Sequence, residues 1–249
     1  MKIKLLIILS FLVFSQEIVS GQDQGKDALA KEFFEKSEGT PYNGYLQKAA
    51  EMGYAPAQYE IAIWYANGFG EQKNDLNIAA KWFEKAAKQG YAKAQVALGN
   101  YCLNGWDVKQ NDKEAIKWFQ KAAEMGDSEG QHNLGYCYKN GKGVSQDLNK
   151  ALFWYHKAAE QGLPQSQYTL GLCYYEGEGV LLDEVEAMNW WRKAAEQGYA
   201  DAQNALGVCY MHGRGVKQNK VKAEEWWKKA ASQGSTHAKD NLEWLYEEE

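Results

Sequence analysis

The chain has 249 residues, a formal net charge of −5 and a composition that suits helices, with only three prolines and few β-branched residues beyond the first twenty positions. An acidic balance of this kind excludes a general phosphate-backbone binder, whose affinity rests on clustered Lys and Arg, so no nucleic acid is expected among its partners. An all-α protein is predicted.

The N-terminus carries Lys2 and Lys4, the apolar run Leu5 to Phe14, and small residues around Val19, Ser20 and Gly21. That is the layout of a cleavable signal peptide over residues 1–21. The apolar run is too short for a spanning helix, which needs roughly 20 residues to cross the hydrocarbon core, so no membrane span is expected. The predicted location is secreted or periplasmic, or the ER lumen if the source is eukaryotic. Residues 22–56 read as a degenerate N-terminal hairpin, Asp27–Lys36 and Tyr45–Met52, joined through a short loop with Pro41 and Gly44.

Lys-Ala-Ala followed by Gly then recurs with its glycine at Gly53, Gly90, Gly126, Gly162, Gly198 and Gly234, a period of 36 after one spacing of 37. Trp82, Trp118, Trp154, Trp190 and Trp226 keep the same period, a packing column first. Five full units cover 57–237, and residues 238–249 form a C-terminal capping helix with an acidic end.

Each unit is read as helix A, a glycine loop and helix B. In the third full unit helix A is placed at about Gln131–Asn140, and its Leu134, Gly135 and Tyr138 return as Leu170, Gly171, Tyr174 and Leu206, Gly207, Tyr210. A glycine inside a helix costs about 1 kcal/mol relative to Ala. Its return at Gly99, Gly135, Gly171 and Gly207 therefore calls for close approach by a neighbouring helix or a bulky ring. Gly-x-Gly pairs at Gly68/Gly70, Gly141/Gly143, Gly177/Gly179 and Gly213/Gly215 mark loops with positive φ, with Asp107 in place of the second glycine after Gly105. Asp75, Asn111, Asp147, Asp183 and Asn219 are N-cap types before helix B, and Glu114 and Glu186 complete the spacing of a capping box. The extra residue of the first unit falls between Gly70 and Asp75.

The composite from Gln131 to Gly162 (Ala-Gln-x-x-Leu-Gly-x-x-Tyr, Gly-x-Gly-Val, Asp or Asn, Ala-x-x-Trp, Lys-Ala-Ala-x-x-Gly) resembles the Sel1-like repeat, a relative of the tetratricopeptide repeat. The resemblance implies a right-handed α/α superhelix, a solenoid of about five full 36-residue helix-hairpin repeats plus end caps. It also implies a role as adaptor or scaffold for other proteins. A cysteine-rich subfamily is linked to β-lactam binding or hydrolysis, which makes such a hydrolase one alternative; an ER-lumen quality-control adaptor is another, although the chain lacks a terminal retention tetrapeptide.

Columns that vary between repeats are free to recognise a partner. In helix A these are Tyr59, Val96, His132, Tyr168 and Asn204; Ile63, Asn100, Tyr136, Leu172 and Val208; and Ala66, Leu103, Lys139, Tyr175 and Met211. Spaced four and then three apart, they share one stripe. The predicted binding groove comprises Tyr59, Ile63, Asn100, His132, Tyr136, Lys139, Tyr168, Leu172, Tyr175, Asn204, Val208 and Met211, with packing between helices as the competing role. The second aromatic of helix B, Phe83, Phe119, Tyr155, Trp191 and Trp227, is read as core, and Trp106, in a loop, as a possible contact. A protein or peptide partner and a single-copy protein are expected.

No catalytic residue, metal site or cofactor is predicted. His132, His156, His212 and His237 form no HExxH and no short Cys/His pair, and neither Ser-x-x-Lys nor G-x-S-x-G occurs. Cys102, Cys137, Cys173 and Cys209 occupy near-equivalent places in successive A helices. Packed helices lie about 8–10 Å apart, beyond the roughly 7 Å that a disulfide allows between Cα atoms, so buried free thiols are predicted, in tension with an oxidising compartment. The cysteine-rich relatives join helix A to helix B, where this chain has Ala123, Ala159 and Ala195.

Overall fold

In a computed structural model the described residues are 25–37, 44–68, 74–106 and 109–247. The predicted signal peptide, the Pro41 loop, Gly70, the extra residue of the first loop, and Asp107 lie outside them or at their edges. Two compact units divide at Gln110/Asn111. The first holds α1 (25–36), α2 (Tyr45–Glu51), α3 (Ala55–Asn67), α4 (Leu76–Lys88) and α5 (Ala92–Asn104). The second holds α6 (Asp112–Glu124), α7 (Ser128–Asn140), α8 (Leu148–Glu160), α9 (Pro164–Glu176), α10 (Glu184–Glu196), α11 (Ala200–His212), α12 (Lys220–Ser232) and α13 (Thr236–Glu247). No strand occurs among the described residues.

Within each unit the helices pack in chain order as hairpins. Helix B begins where an acceptor side chain can take a free backbone N–H. Asp75 accepts from Ile78 N at 2.8 Å, Asn111 from Glu114 N at 3.1 Å, Asp147 from Lys150 N at 3.0 Å, Asp183 from Glu186 N at 2.9 Å and Asn219 from Lys222 N at 3.0 Å. Glu114 pairs with Lys117 at 3.1 Å, an ordinary surface ion pair.

Helix A starts earlier than the sequence pattern suggests. The helix α7 begins at Ser128 because Asp127 caps it, accepting from Gly130 N at 2.8 Å. The other A helices start after Tyr54, Tyr91, Leu163 and Tyr199, none of which caps through its side chain. A buried glutamine column near each start holds them instead. Gln58, Gln95, Gln131, Gln167 and Gln203 donate to the carbonyls of Ala50, Ala87, Ala123, Ala159 and Ala195 in the preceding helix, at 3.0, 3.2, 3.3, 3.1 and 3.1 Å. Gln89, Gln161, Gln197 and Gln233 in turn donate to the Oε1 of Gln58, Gln131, Gln167 and Gln203 at 2.7–2.8 Å. A buried amide is costly unless bonded; in Gln58, Gln131, Gln167 and Gln203 these bonds use both ends of the side chain and tie three helices together, whereas Gln95, with Met125 at the position of the donating glutamine, leaves its Oε1 unbonded.

Apart from the partly buried Ala231, the alanines of Lys-Ala-Ala are almost wholly buried, and their small size lets the next A helix approach. At Gly130 even a Cβ would lie 2.6 Å from that of Ala122. The mid-helix glycines meet rings, as expected: a Cβ at Gly135 would lie 2.8 Å from the Tyr155 ring, at Gly171 2.2 Å from Trp191 Nε1, and at Gly207 2.3 Å from Trp227 Nε1. Those two indoles also donate to the carbonyls of Tyr168 and Asn204, at 3.1 and 3.2 Å. The second aromatic column of helix B is therefore core.

The tryptophan column has a different place. Trp118 and Trp190 are buried and Trp82, Trp154 and Trp226 half-buried, each with the lysine of its Lys-Ala-Ala over the ring. Lys85, Lys121, Lys157, Lys193 and Lys229 stand 3.7, 4.2, 5.2, 3.8 and 4.1 Å from the ring centroids. Each such contact is worth about 0.5–1 kcal/mol at an exposed site, which gives the recurring lysine a packing role.

Candidate functional site

The twelve groove residues fall into two classes. In the first column the side chains are turned into contacts between helices. Tyr59 packs against Phe83 and Tyr91 with ring centroids at 5.6 and 5.4 Å, and Tyr168 against Trp191 and Tyr199 at 6.5 and 5.4 Å. His132 lies 5.3 Å from the Tyr155 ring, and its Nδ1 is 2.9 Å from Ser166 Oγ. Burial there pushes its pKa down to about 4, so the ring is neutral at physiological pH. Asn204 Oδ1 accepts from Asn241 Nδ2 of the capping helix α13 at 3.0 Å.

The other two columns of the second unit are mixed. Tyr136 is 41 % exposed and open to solvent. Lys139 pairs with Glu178 at 2.6 Å, and Tyr175 lies between Trp191, 5.3 Å away, and the Arg214 guanidinium, 5.5 Å away. Leu172 and Val208 are half-buried against the core. Met211 is buried in that core together with Trp227 and Leu245, so it offers a ligand no surface; the C-terminal helices close the stack over it.

In the first unit, Ile63 and Asn100 line an open cavity of about 410 Å³. Its wall also includes Phe83, Tyr101 and Trp106. Trp106 is exposed in the loop after α5, held edge-on to Tyr101 at 5.5 Å, and Tyr101 is edge-on to Phe83 at 5.4 Å. Asn67 and Asn100 are the amide-bearing residues of its lining. Sequence comparison identified Ile63, Asn100 and Trp106 separately but not the cavity, which Phe83 and Tyr101 of the core help to form.

Among the described residues no group of three or more His, Cys, Asp or Glu side chains is placed to hold a metal ion. Cys137, Cys173 and Cys209 are buried free thiols, and Cys102 is half-buried. Burial pushes the first three thiols up to about 12, 11 and 12 respectively, which removes the thiolate needed for nucleophilic attack. No described helix is long and apolar enough to cross a membrane.

A profile of the Sel1 repeat matches residues 44–54, 55–91, 92–127, 128–163, 164–199 and 200–235. The chain belongs to the Sel1 repeat family. Its solved Sel1-type relatives include a protective antigen of uropathogenic Escherichia coli, described as displaying an SLR fold, at 34 % identity over 94 % of this chain and 51 % of that one, with a TM-score of 0.77. A Sel1 repeat protein of Oxalobacter formigenes is 34 % identical over 90 % of this chain and 65 % of its own, with a TM-score of 0.75. An immunity protein of Pseudomonas aeruginosa is 25 % identical over 74 % of this chain and 66 % of its own, with a TM-score of 0.53. This Sel1 chain thus spans about half the length of the first and just under two thirds of the second. Comparison with curated proteins finds no match.

Proposed function

We propose that this Sel1 repeat chain is a secreted or periplasmic adaptor that binds a protein or peptide segment, with the cavity of the first unit as its anchoring point. The observation that carries this reading is the open aromatic-walled cavity, in which Trp106 stays exposed beside two side-chain amides. Rings bring large contact area at little cost in rotamer freedom, and anchor residues of interfaces sit in such pockets. A bulky apolar side chain together with part of its flanking segment fits a space of this size, and the Asn67 and Asn100 amides can pair with the peptide groups beside it. Export rests on the signal-peptide layout of residues 1–21.

The test is capture of partners from extracellular and periplasmic extracts on the immobilised chain, with Trp106→Ala and Ile63→Asp as controls and helicity checked by circular dichroism. A protein held by the wild type and released by both variants supports the adaptor reading. A partner held equally by all three moves the binding site away from the cavity. Fractionation of cells expressing the full chain tests export separately.

A further inference from the structure

The second unit carries one apolar patch that its own fold does not use. Leu181 and Leu182, in the loop before α10, are 91 % and 62 % exposed, and Val185 and Val221, in the first turns of α10 and α12, are 57 % and 65 % exposed. The loop that feeds α12 lies on the first turn of α10: Gly215 N donates to Glu184 Oε2 at 3.1 Å, and a Cβ on Gly215 would reach 3.0 Å from Val185 N. The two helix starts are thus neighbours, and the leucine loop lies on the other side of Val185, where a Cβ on Gly179 would meet Leu148 and Leu152 of α8, so leucines, Val185 and Val221 follow one another along the edge formed by the starts of the B helices.

Repeat equivalence makes this edge unusual. The positions of Leu181 and Leu182 are Lys109 and Gln110, Ser145 and Gln146, and Lys217 and Gln218 in other repeats. Gln146 and Gln218 donate to the carbonyls of Lys139 and Met211 at 2.9 and 2.7 Å, securing the loop to helix A. Leu182 cannot make that bond and remains outside the core. The positions of Val185 and Val221 are Asn77, Lys113 and Asn149 elsewhere. The flanking charges then invert between the two helices: Glu184-Val185-Glu186 starts α10, and Lys220-Val221-Lys222 starts α12.

We infer that this edge binds a second copy of the same chain. A two-fold axis between Val185 and Val221 sets the Glu-Val-Glu turn of one copy against the Lys-Val-Lys turn of the other, twice, with the leucines flanking each Glu-Val-Glu turn on its α8 side. A surface that is acidic on one side and basic on the other complements itself under such an axis, the condition for a closed, isologous contact. Four side chains this open make a patch in the range of the largest that a single chain normally exposes, roughly 300–600 Å². The charged rim with Asp183 and Lys217 extends it toward the about 800 Å² per partner of a standard interface. The assembly is then a dimer, in place of the single copy expected from sequence.

Sedimentation equilibrium at micromolar concentrations and low salt decides the matter. The wild type is expected at twice the chain mass, falling toward one chain as salt screens the pairs. The double variant L181S/L182Q carries the loop residues of a neighbouring repeat, so it folds, and it is expected at the mass of one chain. K220E/K222E makes both helix starts acidic and E184K/E186K makes both basic; each alone is expected as a single chain, and an equal mixture of the two as a two-chain species. A wild type that stays single throughout, a dimer that survives L181S/L182Q, or a mixture of the charge variants that fails to pair while both keep their helicity overturns the inference.

Discussion

Replacing Gly171 or Gly207 by Ala sets two physical effects against each other. Helix propensity alone favours Ala over Gly by about 1 kcal/mol, so a glycine without tertiary contacts would be improved. Here the new Cβ would stand 2.2 Å from Trp191 Nε1 or 2.3 Å from Trp227 Nε1, far inside contact distance. The indole must move, and it is held by its bond to the carbonyl of Tyr168 or Asn204. Overpacking costs about 1–3 kcal/mol, and leaving that N–H buried without a partner costs a further 1–3 kcal/mol or so. Subtracting the propensity gain, each variant is expected to lose about 1–5 kcal/mol of stability. Gly135→Ala meets the Tyr155 ring at 2.8 Å with no indole bond to break, and is expected to lose less. Urea unfolding followed by far-ultraviolet circular dichroism measures the ranking. Trp191→Phe on the Gly171→Ala background should recover part of the loss. A Gly171→Ala protein as stable as the wild type or more so would refute the account of the glycine column.

Other outcomes follow from single contacts. His132 has its folded pKa lowered to about 4 from 6.5, so the unfolded chain binds the extra proton as pH falls through that window. Its stabilising contribution is complete above about pH 6.5 and declines by about 3 kcal/mol down to about pH 4. His132→Asn, which borrows the residue of the equivalent position at Asn204, should flatten this decline in urea unfolding between pH 7 and 4.5; a wild-type and variant difference that does not change with pH would count against it. Cys137, Cys173 and Cys209 should resist iodoacetamide at pH 7.5 until denaturant is added, as mass spectrometry would show, and prompt labelling of the native protein would mean that their helices open. Incubation with a chromogenic β-lactam is expected to give no turnover above buffer, and saturable hydrolysis would revive the hydrolase alternative.

The period, the caps and the glycines were legible in sequence because each answers a local backbone requirement that recurs. An acceptor must precede helix B, and a ring beside helix A leaves no room for a Cβ. The glutamine column was visible as a constant residue, yet its role depends on carbonyls of the preceding helix that sequence spacing does not display. The lysine over each tryptophan, three residues on, could have been found from the helical neighbour rule. The groove was the least legible part, because a column can vary for two reasons: it meets a partner, or it meets a neighbour that varies with it.

His132 and Ser166 show the second reason at work. The position of Ser166 is Ala57, Ala94, Gly130 and Ala202 in the other repeats, and it is a serine where the preceding repeat supplies a histidine 2.9 Å away. That departure is answered inside the chain, so His132 needs no outside ligand. Leu181 and Leu182 depart from their columns as clearly but receive no compensating contact: the loop bond made by Gln146 and Gln218 is given up and the apolar surface stays in water. Burying both leucines on a partner returns about 1.5–3 kcal/mol for each side chain fully covered, a gain the isolated chain does not realise. In a stack whose columns are otherwise matched, variation points to a partner only where the neighbouring repeat fails to answer it, a condition met here by Leu181 and Leu182 and by the exposed ring of Trp106.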